Sequence, residues 1–221
     1  MSSAPVPYPV NLCLSGQRVL VVGGGPVAAR KVEALLRAGA AVTVVAPAAV
    51  DDIAQHPEVT WQPRGYLRGE AGSYRLVVTA TDNPAVNSGV ARDCEAANVF
   101  VNSADDPANC TLWVPSVARR GDLQVAVSSG GRSPALARWL RQRIEREIDS
   151  GYAALLELLS EARAEAKARF GTSEVAGWDT ALDDGLLELV RVGRTSEARS
   201  LLRRHHCLDT PETAPAEAMA S

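Results

Sequence analysis

A short apolar run that leads directly into three consecutive glycines restricts the fold more than any other feature of the sequence. The run is Arg18-Val-Leu-Val-Val22, and Gly23 to Gly25 follow it without a break. A continuous apolar run rich in β-branched valine predicts a strand that is buried on both faces, as in a parallel sheet. A helical pattern extends from Val27 to Ala38 and stops at Gly39, and Ala41-Val-Thr-Val-Val45 predicts a second buried strand. Together these elements predict a right-handed βαβ unit.

The same alternation continues after the second strand. Val59 to Gln62 predicts a short third strand, and Arg75 to Ala80 predicts a stronger one. Asn83-Pro84 begins a helix that runs to about Ala97, and Val99 to Asn102 returns as a strand. Strands that alternate with helices indicate a parallel sheet with helices on both faces. We therefore expect residues 1–110 to form an α/β domain of the Rossmann type.

The character of the sequence changes after this domain. Two strand candidates, Thr111 to Pro115 and Leu123 to Val127, flank Arg119 to Asp122, which predicts a turn and hence an antiparallel hairpin. An amphipathic helix begins at Ser133-Pro134 and continues to about Ile148. Further helices are predicted over 152–170, 179–190 and 196–205. Residues 208–221 are rich in Ala, Pro, Glu and Thr, which is typical of a disordered tail.

The glycines after the first strand form a recognisable binding pattern. Gly23, Gly25 and Ala28 read G-x-G-x-x-A, which is typical of dinucleotide-binding turns. The first glycine permits a tight turn, the second lets the backbone approach a pyrophosphate, and the alanine lets helix and strand pack closely. A glycine turn without a ligand is the alternative, but the strand, turn and helix that the motif requires are all predicted here. We therefore predict a dinucleotide site at this turn.

The end of the second strand bears on the choice of cofactor. It reads Val45-Ala46-Pro47, without the acidic residue that usually binds the ribose hydroxyls. Asp51 and Asp52 follow and are candidates to replace that acid from a loop, and no arginine lies nearby to bind a 2′-phosphate. The sequence therefore favours NAD over NADP.

The bulk composition argues against several other function classes. A formal net charge of −3 and an aromatic content of 5% give no sign of a nucleic-acid surface. No basic and apolar leader opens the sequence, and no apolar stretch approaches the roughly 20 residues that span a bilayer. The four cysteines form no C-x-x-C pair, and His205-His206-Cys207 lacks the spacing of metal ligands. We expect a cytoplasmic protein with reduced thiols, no membrane segment, no nucleic-acid partner and no fixed metal site.

Three further motifs accompany the glycine turn. They are Ala80-Thr-Asp-Asn83 after the fourth strand, Asn102-x-x-Asp105 with Pro107 after the fifth, and Val125-Ala-Val-Ser-Ser-Gly-Gly-Arg-Ser-Pro134. With the glycine turn they closely resemble the precorrin-2 dehydrogenase/sirohydrochlorin ferrochelatase family, which includes the N-terminal module of siroheme synthases. The resemblance covers about residues 8–205.

This resemblance implies NAD-dependent oxidation of precorrin-2 to sirohydrochlorin, and it leaves open whether the protein also inserts Fe(II). It implies a dimerisation region over 111–149, a helical domain over 150–207 and a symmetric homodimer. It also implies that Asp105 is the catalytic residue, and that Ser129 lies in the tetrapyrrole site and is phosphorylated in some relatives. The expected nucleotide contacts are Gly23, Gly24, Gly25, Pro26, Val27, Ala28, Pro47, Ala48, Thr81 and Asp82.

Precorrin-2 is an octacarboxylate, so its site needs local positive charge. Arginine binds carboxylates through two parallel hydrogen bonds, and a glycine-rich turn before a helix can present amide groups to an anion. Arg138 is a weaker candidate, because a helical arginine usually faces solvent. The expected substrate-binding residues are Asn102, Arg119, Arg120, Ser128, Ser129, Gly130, Gly131 and Arg132.

Two questions stay open at this level. Asp106 directly follows Asp105, so the catalytic assignment can shift by one position, and an Asp-Pro sequence is also typical of a turn. The alternative function is a non-catalytic Rossmann module that senses a nucleotide. Such modules usually keep the acid after the second strand and do not need the Ser-Ser-Gly-Gly turn.

Overall fold

The structure is a computed structural model that describes residues 7–104, 106–173, 176–205 and 208. The chain divides into two compact units, Met1–Val114 and Pro115–Ser221. Each unit has its own hydrophobic core. The predicted acid Asp105 lies outside the described residues, as do His206, Cys207 and all of the predicted tail except Leu208.

The first unit is built on a five-stranded sheet. Its strands are β1 (Arg18–Val22), β2 (Ala41–Val45), β3 (Val59–Gln62), β4 (Leu76–Thr79) and β5 (Phe100–Ser103). They lie in the order β3-β2-β1-β4-β5, and every neighbouring pair is parallel. The predicted Rossmann-type sheet is therefore confirmed, and the predicted bounds of the first three strands agree with the observed ones.

The helices of this unit are α1 (Pro26–Arg37), α2 (Asp51–Ala54) and α3 (Pro84–Ala96). Helix α1 begins with Pro26, whose missing N–H is harmless in a first turn, and it ends just before Gly39, which has a φ of +74°. Helix α3 begins after Asn83, whose side chain accepts hydrogen bonds from the amides of Ala85 and Val86. Helix α2 was not predicted from the sequence.

Apolar side chains on both faces of the sheet form the core of the first unit. One cluster packs α1 against the strands and includes Val21, Val44, Val78, Ala28 and Val32. The other packs α3 against the opposite face and includes Leu20, Val22, Val77, Val90 and Cys94. Residues of β1 alternate between the clusters, because successive side chains of a strand point to opposite faces. Each fully buried Val or Leu contributes about 1.5–3 kcal/mol, so these apolar runs hold the central strands firmly.

The segment after β5 differs from its prediction. The predicted strand from Thr111 to Pro115 was wrong: in the described structure these residues form no strand. Instead, the amides of Thr111 and Leu112 donate to the carbonyl of Val101 at 2.9 and 3.1 Å, and the Thr111 hydroxyl accepts from the Val101 amide at 2.9 Å. The segment thus covers the outer side of the edge strand β5. The apolar residues of this segment predicted a strand, but the segment instead covers β5. Its hydrogen bonds pair donors and acceptors that would otherwise be free at the sheet edge.

The second unit opens with an antiparallel hairpin of β6 (Ser116–Arg120) and β7 (Leu123–Val127). Because Arg120 pairs with Leu123, Gly121 and Asp122 form a two-residue turn, in which Gly121 has a φ of +54°. The predicted hairpin is therefore present, but its first strand begins at Ser116 and its turn is shorter than predicted.

Five helices follow the hairpin in the described part of this unit. They are α4 (Pro134–Glu147), α5 (Ser150–Phe170), α6 (Trp178–Ala181), α7 (Leu187–Arg191) and α8 (Thr195–Arg204). The core of their helical part includes Leu155, Leu158, Leu186, Leu201 and Leu202. The prediction of one helix over 179–190 was wrong, because α6 and α7 are separated by a π turn at Leu182–Leu186 that contains Gly185 with a φ of +90°. A positive φ interrupts a right-handed helix.

Within the described ranges, no helix has both the length and the apolar character that crossing a membrane would require.

Candidate active site

The candidate site lies where the order of the strands reverses. Strands β1 and β4 are neighbours at the centre of the sheet. From β1 the chain adds β2 and β3 toward one edge, and from β4 it adds β5 toward the other edge. In open α/β sheets, ligands bind at such a point, in the crevice outside the carboxyl ends of the strands. Here the glycine turn follows Val22 at the end of β1, and the Ala80-Thr-Asp-Asn83 segment follows Thr79 at the end of β4.

Gly23 brings these two strand ends into contact. Its amide donates to the carbonyl of Val45 at 3.0 Å, while the Ala80 amide donates to the carbonyl of Val22 at 2.8 Å. The φ of Gly23 is +123°, and a Cβ placed there would lie 2.3 Å from the carbonyl oxygen of Ala80. The packing of the protein itself therefore requires glycine at this position.

Gly24 and Gly25 differ in their surroundings. A Cβ on Gly24 would lie 2.1 Å from the carbonyl oxygen of Ala48, and the Gly24 carbonyl accepts from the Val50 amide at 2.9 Å. A Cβ on Gly25 would meet no described protein atom within 4 Å. The Gly25 backbone is also extended, with a φ of −83°, which any residue adopts. The described chain thus gives no reason for glycine at position 25, whereas a pyrophosphate lying against its backbone would.

The start of α1 supplies the donors that a pyrophosphate needs. Pro26 is its first residue, and no side chain of the described structure caps its first turn. The amides of Val27 and Ala28 belong to that turn, in which backbone N–H groups have no intrahelical acceptor and the helix dipole favours an anion. Ala28 is buried against the strands, so helix and sheet approach closely. These residues fit the phosphates of a dinucleotide.

The residues after β2 lie where the ribose is expected. Pro47 and Ala48 are both exposed. Asp51 and Asp52, predicted to lie in a loop, instead form the first turn of α2 and are exposed. Carboxylates are favourable at this end of a helix, which is one reason for acids at these positions that involves no ligand.

The segment after β4 is held in place by a small polar network. The Thr81 hydroxyl donates to Oδ1 of Asn87 at 2.8 Å and accepts from the Asn83 amide at 3.2 Å. Nδ2 of Asn87, which is buried, donates to the Thr81 carbonyl at 2.9 Å. Asp82 lies between Thr81 and Asn83 and is exposed. The network therefore fixes the backbone beside the crevice and leaves the Asp82 side chain accessible.

Asn102 is the buried polar residue of β5, with 7% of its surface exposed. Its Nδ2 donates to the carbonyl of Leu112 at 3.0 Å. Its Oδ1 has no hydrogen-bond partner among the described residues. Buried acceptors are rarely left unpaired, so this oxygen is a candidate acceptor for a bound ligand. At the same strand end, the hydroxyls of Thr79 and Ser103 lie 2.8 Å apart and join β4 to β5.

The structure describes only the second of the two adjacent acids after β5. Oδ2 of Asp106 accepts from Nδ2 of Asn109 at 2.6 Å, and the same Nδ2 also donates to the hydroxyl of Ser88 in α3 at 3.3 Å. The Asp106 carboxylate is therefore tied to its own loop, and through Asn109 to a helix.

In the second unit, serine hydroxyls organise the Ser-Ser-Gly-Gly turn. The Ser128 hydroxyl accepts from the Gly130 amide at 3.2 Å, and the Ser129 hydroxyl accepts from the Ser133 amide at 3.0 Å. Gly130 and Gly131 have φ values of +60° and +74°, a region that glycine adopts without strain. The side chain of Ser133 then caps α4. The turn thus leads into a helix start, where an anion is favoured.

The predicted arginines fall into two groups. Arg119 and Arg132 are exposed, as is Arg138. Arg120 is partly buried, and its guanidinium donates to the carbonyl of Glu145 at 2.6 Å and to that of Arg119 at 2.9 Å. Arg120 therefore joins the hairpin to the last turn of α4, where a cation is also favoured by the helix dipole.

Sequence reasoning missed the residues that hold the strand ends in place. These are Asn87, Ser103, Asn109 and Cys110. A polar residue near the carboxyl end of a predicted strand is the signal that could have found them, but such a residue is informative only once its partner is known. In the described ranges, no three His, Cys, Asp or Glu side chains are grouped as metal ligands would be.

Comparison with protein families assigns both units. Residues 10–116 match the family model described as putative NAD(P)-binding, and residues 120–147 match the one described as sirohaem biosynthesis protein central. Together the two matches cover more than half of the chain. The chain belongs to the siroheme-biosynthesis family. The glycine turn of this family member lies inside the first match and its Ser-Ser-Gly-Gly turn inside the second.

Siroheme synthases are among the relatives of this family member. That of Thioalkalivibrio sulfidiphilus is 39% identical over 202 residues, which cover 89% of this chain and 41% of that protein. That of Pseudomonas putida is 40% identical over 196 residues, which cover 86% of this chain and 42% of that protein. The chain thus spans about two fifths of the length of the siroheme synthases that it matches.

A solved structure described as SirC, precorrin-2 dehydrogenase, has a similar fold. The TM-score is 0.67 and the sequence identity 26%, and the match covers 90% of this chain and 98% of that chain. The family resemblance predicted from the motifs, and the predicted α/β fold with a helical C-terminal region, are therefore confirmed.

Proposed function

We propose that this chain catalyses the NAD-dependent dehydrogenation of precorrin-2 to sirohydrochlorin. The observation that carries the proposal is the glycine turn at the strand reversal, where Gly25 faces open space beside the uncapped start of α1. That arrangement fits a dinucleotide and not merely a tight turn. The names of the relatives, siroheme synthase and precorrin-2 dehydrogenase, support the choice of substrate.

The first unit supplies binding and orientation for this reaction. When bound, the nicotinamide would supply the hydride acceptor, so the protein has to position two ligands and take up a proton. The Gly25 backbone and the amides of Val27 and Ala28 would hold the pyrophosphate, and the fixed Thr81 backbone would line the opposite side of the crevice. The N-x-x-D motif begins at Asn102, near the end of the strand next to β4, so the motif belongs to the same edge of the sheet.

We assign the proton-accepting role to Asp105, the acid of the N-x-x-D motif by the family resemblance. The contact of Asp106 with Asn109 supports this assignment, because it gives the second acid a role in the loop. A base at this position typically contributes about 10²–10⁴-fold to the rate.

The second unit is proposed to bind the carboxylates of the tetrapyrrole. The Ser128 to Gly131 turn presents backbone amides at the start of α4, and Arg119 and Arg132 extend into solvent. Arginine binds a carboxylate in a bidentate manner, which suits a ligand with many carboxylates. We assign Arg120 to the support of the hairpin instead, because its guanidinium is bound to backbone carbonyls.

We also infer that the chain acts as a homodimer. Leu136, Trp139 and Leu140 are 49%, 51% and 36% exposed and share one side of α4. Contiguous exposed apolar side chains of this kind mark an interaction surface, and a two-fold pair is the commonest way of covering one. A cytoplasmic location is part of the proposal, because Cys13, Cys94 and Cys110 are free thiols.

The proposal is tested by mixing the purified chain with precorrin-2 and NAD and following the absorbance of NADH. We expect NADH only when both ligands are present, with one sirohydrochlorin formed for each NADH. Binding of NAD without any NADH formation would contradict the proposal and favour the nucleotide-sensing alternative. Adding Fe(II) to the same mixture tests whether the chain also converts the product to siroheme.

A further inference from the structure

Cys110 makes an unusual pair of contacts with the edge strand of the first unit. It follows the short 3₁₀ turn Pro107–Asn109, and its side chain lies against the end of β5. Its Sγ lies 3.1 Å from the amide nitrogen of Ser103 and 3.2 Å from the carbonyl oxygen of the same residue. In an extended strand, both groups of one residue point to the same side. The thiol therefore occupies the place that a neighbouring strand would otherwise take.

The protonation state of the thiol suits both contacts. Burial raises the pKa of the Cys110 thiol, the Ser103 backbone contact lowers it, the charge of Asp106 raises it and that of Lys31 lowers it, with a net upward result. The group is thus a neutral S–H at physiological pH. The sulfur accepts from the Ser103 amide, while the S–H donates to the carbonyl of Ser103 or to that of Asp106, which lies 3.4 Å away.

The same sulfur also lies beside the asparagine of the N-x-x-D motif. Nδ2 of Asn102 is 3.9 Å from Sγ, and Asn102 is the buried residue whose Oδ1 has no described partner. Cys110 therefore contacts Asn102 and Ser103, which precede Asp105 in sequence, and Asp106, which follows it.

We propose that Cys110 is a positioning residue for the N-x-x-D motif. Its thiol fastens the segment 106–110 to Ser103 at the end of β5 and contacts the amide of Asn102, so that the described residues on either side of the motif's acid are held in one arrangement. The kinetic consequence rests on the proposed dehydrogenase function, whereas the fastening of the segment does not. Thr111 contacts the amide and the carbonyl of Val101, the residue before Ser103 on the outward side of β5. Thr111 is not needed for the role proposed for Cys110.

The kinetic test compares Cys110→Ala, which removes the sulfur, with Cys110→Ser, which keeps a donor and an acceptor. We expect Cys110→Ala to lower kcat by about 10–100-fold, as loss of an orienting contact does at other sites, with little change in the Kd for NAD. Cys110→Ser is expected to recover kcat to within about fivefold of wild type, because a hydroxyl replaces both contacts.

The matched control is Cys94→Ala, the same substitution at a buried thiol of this unit. Cys94 lies in α3 and packs against one face of the sheet, whereas Cys110 lies beside the edge strand β5. Burial raises the pKa of the Cys94 thiol to about 11. We expect this variant to lose stability but to keep kcat. The proposal is wrong if Cys110→Ala keeps wild-type kcat, if Cys94→Ala loses as much, or if Cys110→Ser is no better than Cys110→Ala.

Amide hydrogen exchange separates this proposal from the proposed function. We expect exchange at the Ser103 amide to be at least about tenfold faster in Cys110→Ala than in wild type, and unchanged in Cys94→Ala. Unchanged protection of Ser103 in Cys110→Ala would overturn the positioning role. If wild type forms no NADH at all, the dehydrogenase proposal fails, while the exchange result still decides whether Cys110 fastens the segment.

Discussion

The side-chain amide of Asn109 donates to the carboxylate of Asp106 at 2.6 Å. This contact gives Asp106 a partner within its own loop, and Asn109 also donates to Ser88 of α3. The sequence leaves two adjacent acids equivalent, because only their order along the chain is known. The contact supports different roles for them, because it makes Asp106 part of the structure of its loop.

Asp105→Asn is expected to lower the dehydrogenase rate by about 10²–10⁴-fold with little effect on NAD binding, because the variant removes the base and leaves the glycine turn intact. Asp106→Asn is the matched control, since it removes the charge but keeps an oxygen that can accept from Asn109. It should stay within about tenfold of wild type, a range that covers the loss of one charged hydrogen bond. The reverse result would move the catalytic role to Asp106. Near wild-type rates in both variants would mean that neither carboxylate does the chemistry.

Gly25→Val is expected to abolish NAD binding while the protein stays folded. The side chain would enter open space, and the extended backbone of Gly25 suits a β-branched residue, so only a ligand is obstructed. Calorimetry measures the binding, and thermal unfolding measures the stability. Gly23→Ala is the contrasting variant, because a positive φ alone costs about 1–3 kcal/mol and the Cβ would also collide with Ala80. Tight NAD binding by Gly25→Val would show that the pyrophosphate does not lie against Gly25.

NAD is expected to bind at least about tenfold more tightly than NADP, because Pro47 and Ala48 offer no cation to a 2′-phosphate while Asp51 and Asp52 lie nearby. Calorimetric titration of the wild-type chain with each nucleotide measures the ratio. Ala48→Arg should reduce the preference for NAD over NADP, because the new arginine, exposed just after β2, would strengthen NADP binding. Equal affinities of the wild type for both nucleotides would contradict the proposed ribose site.

Arg132→Ala is expected to raise the KM for precorrin-2, whereas Arg120→Ala is expected to lower stability. The Arg132 side chain is exposed, so its loss should cost binding with little effect on folding. The Arg120 guanidinium donates to two carbonyls, and removing it should cost about 1–3 kcal/mol of unfolding free energy. Initial rates and denaturant unfolding separate the two effects. An unchanged KM in Arg119→Ala, Arg132→Ala and their double variant would exclude these arginines from the substrate site.

Trp139→Glu is expected to convert the inferred dimer to a monomer, because it places a charge on the exposed apolar side of α4. Light scattering at micromolar concentration measures the mass of each form. Gln142→Glu, an exposed position on the same helix but outside the apolar group, is the control and should remain dimeric. A wild-type mass equal to one chain would contradict the inferred homodimer.

Local patterns were sufficient for much of the first unit. The continuous apolar run in β1, with three valines, predicts a buried strand because a parallel strand is covered on both faces, and Gly39 ends α1 because glycine adopts a positive φ. The glycine turn could be recognised for the same reason, since its spacing follows from the geometry of one strand, one turn and one helix. The patterns gave wrong predictions at two places. The apolar segment from Thr111 to Pro115 covers an edge strand without forming a strand itself, and Gly185 interrupts a helical pattern.

What the sequence determined by itself was therefore the succession of β1 to β5, α1 and α3 along the chain and the place of the nucleotide turn, because each depends on residues a few positions apart. Only the tertiary structure decided the roles of Asn109, Cys110 and Arg120. Asn109 contacts Asp106 and Ser88. Cys110 contacts Ser103, and Arg120 contacts the carbonyl of Glu145. These contacts follow no sequence period. They arise because an edge strand, a helix end and a partly buried carboxylate each leave polar groups that must find partners, and only the folded chain shows which side chains are within reach.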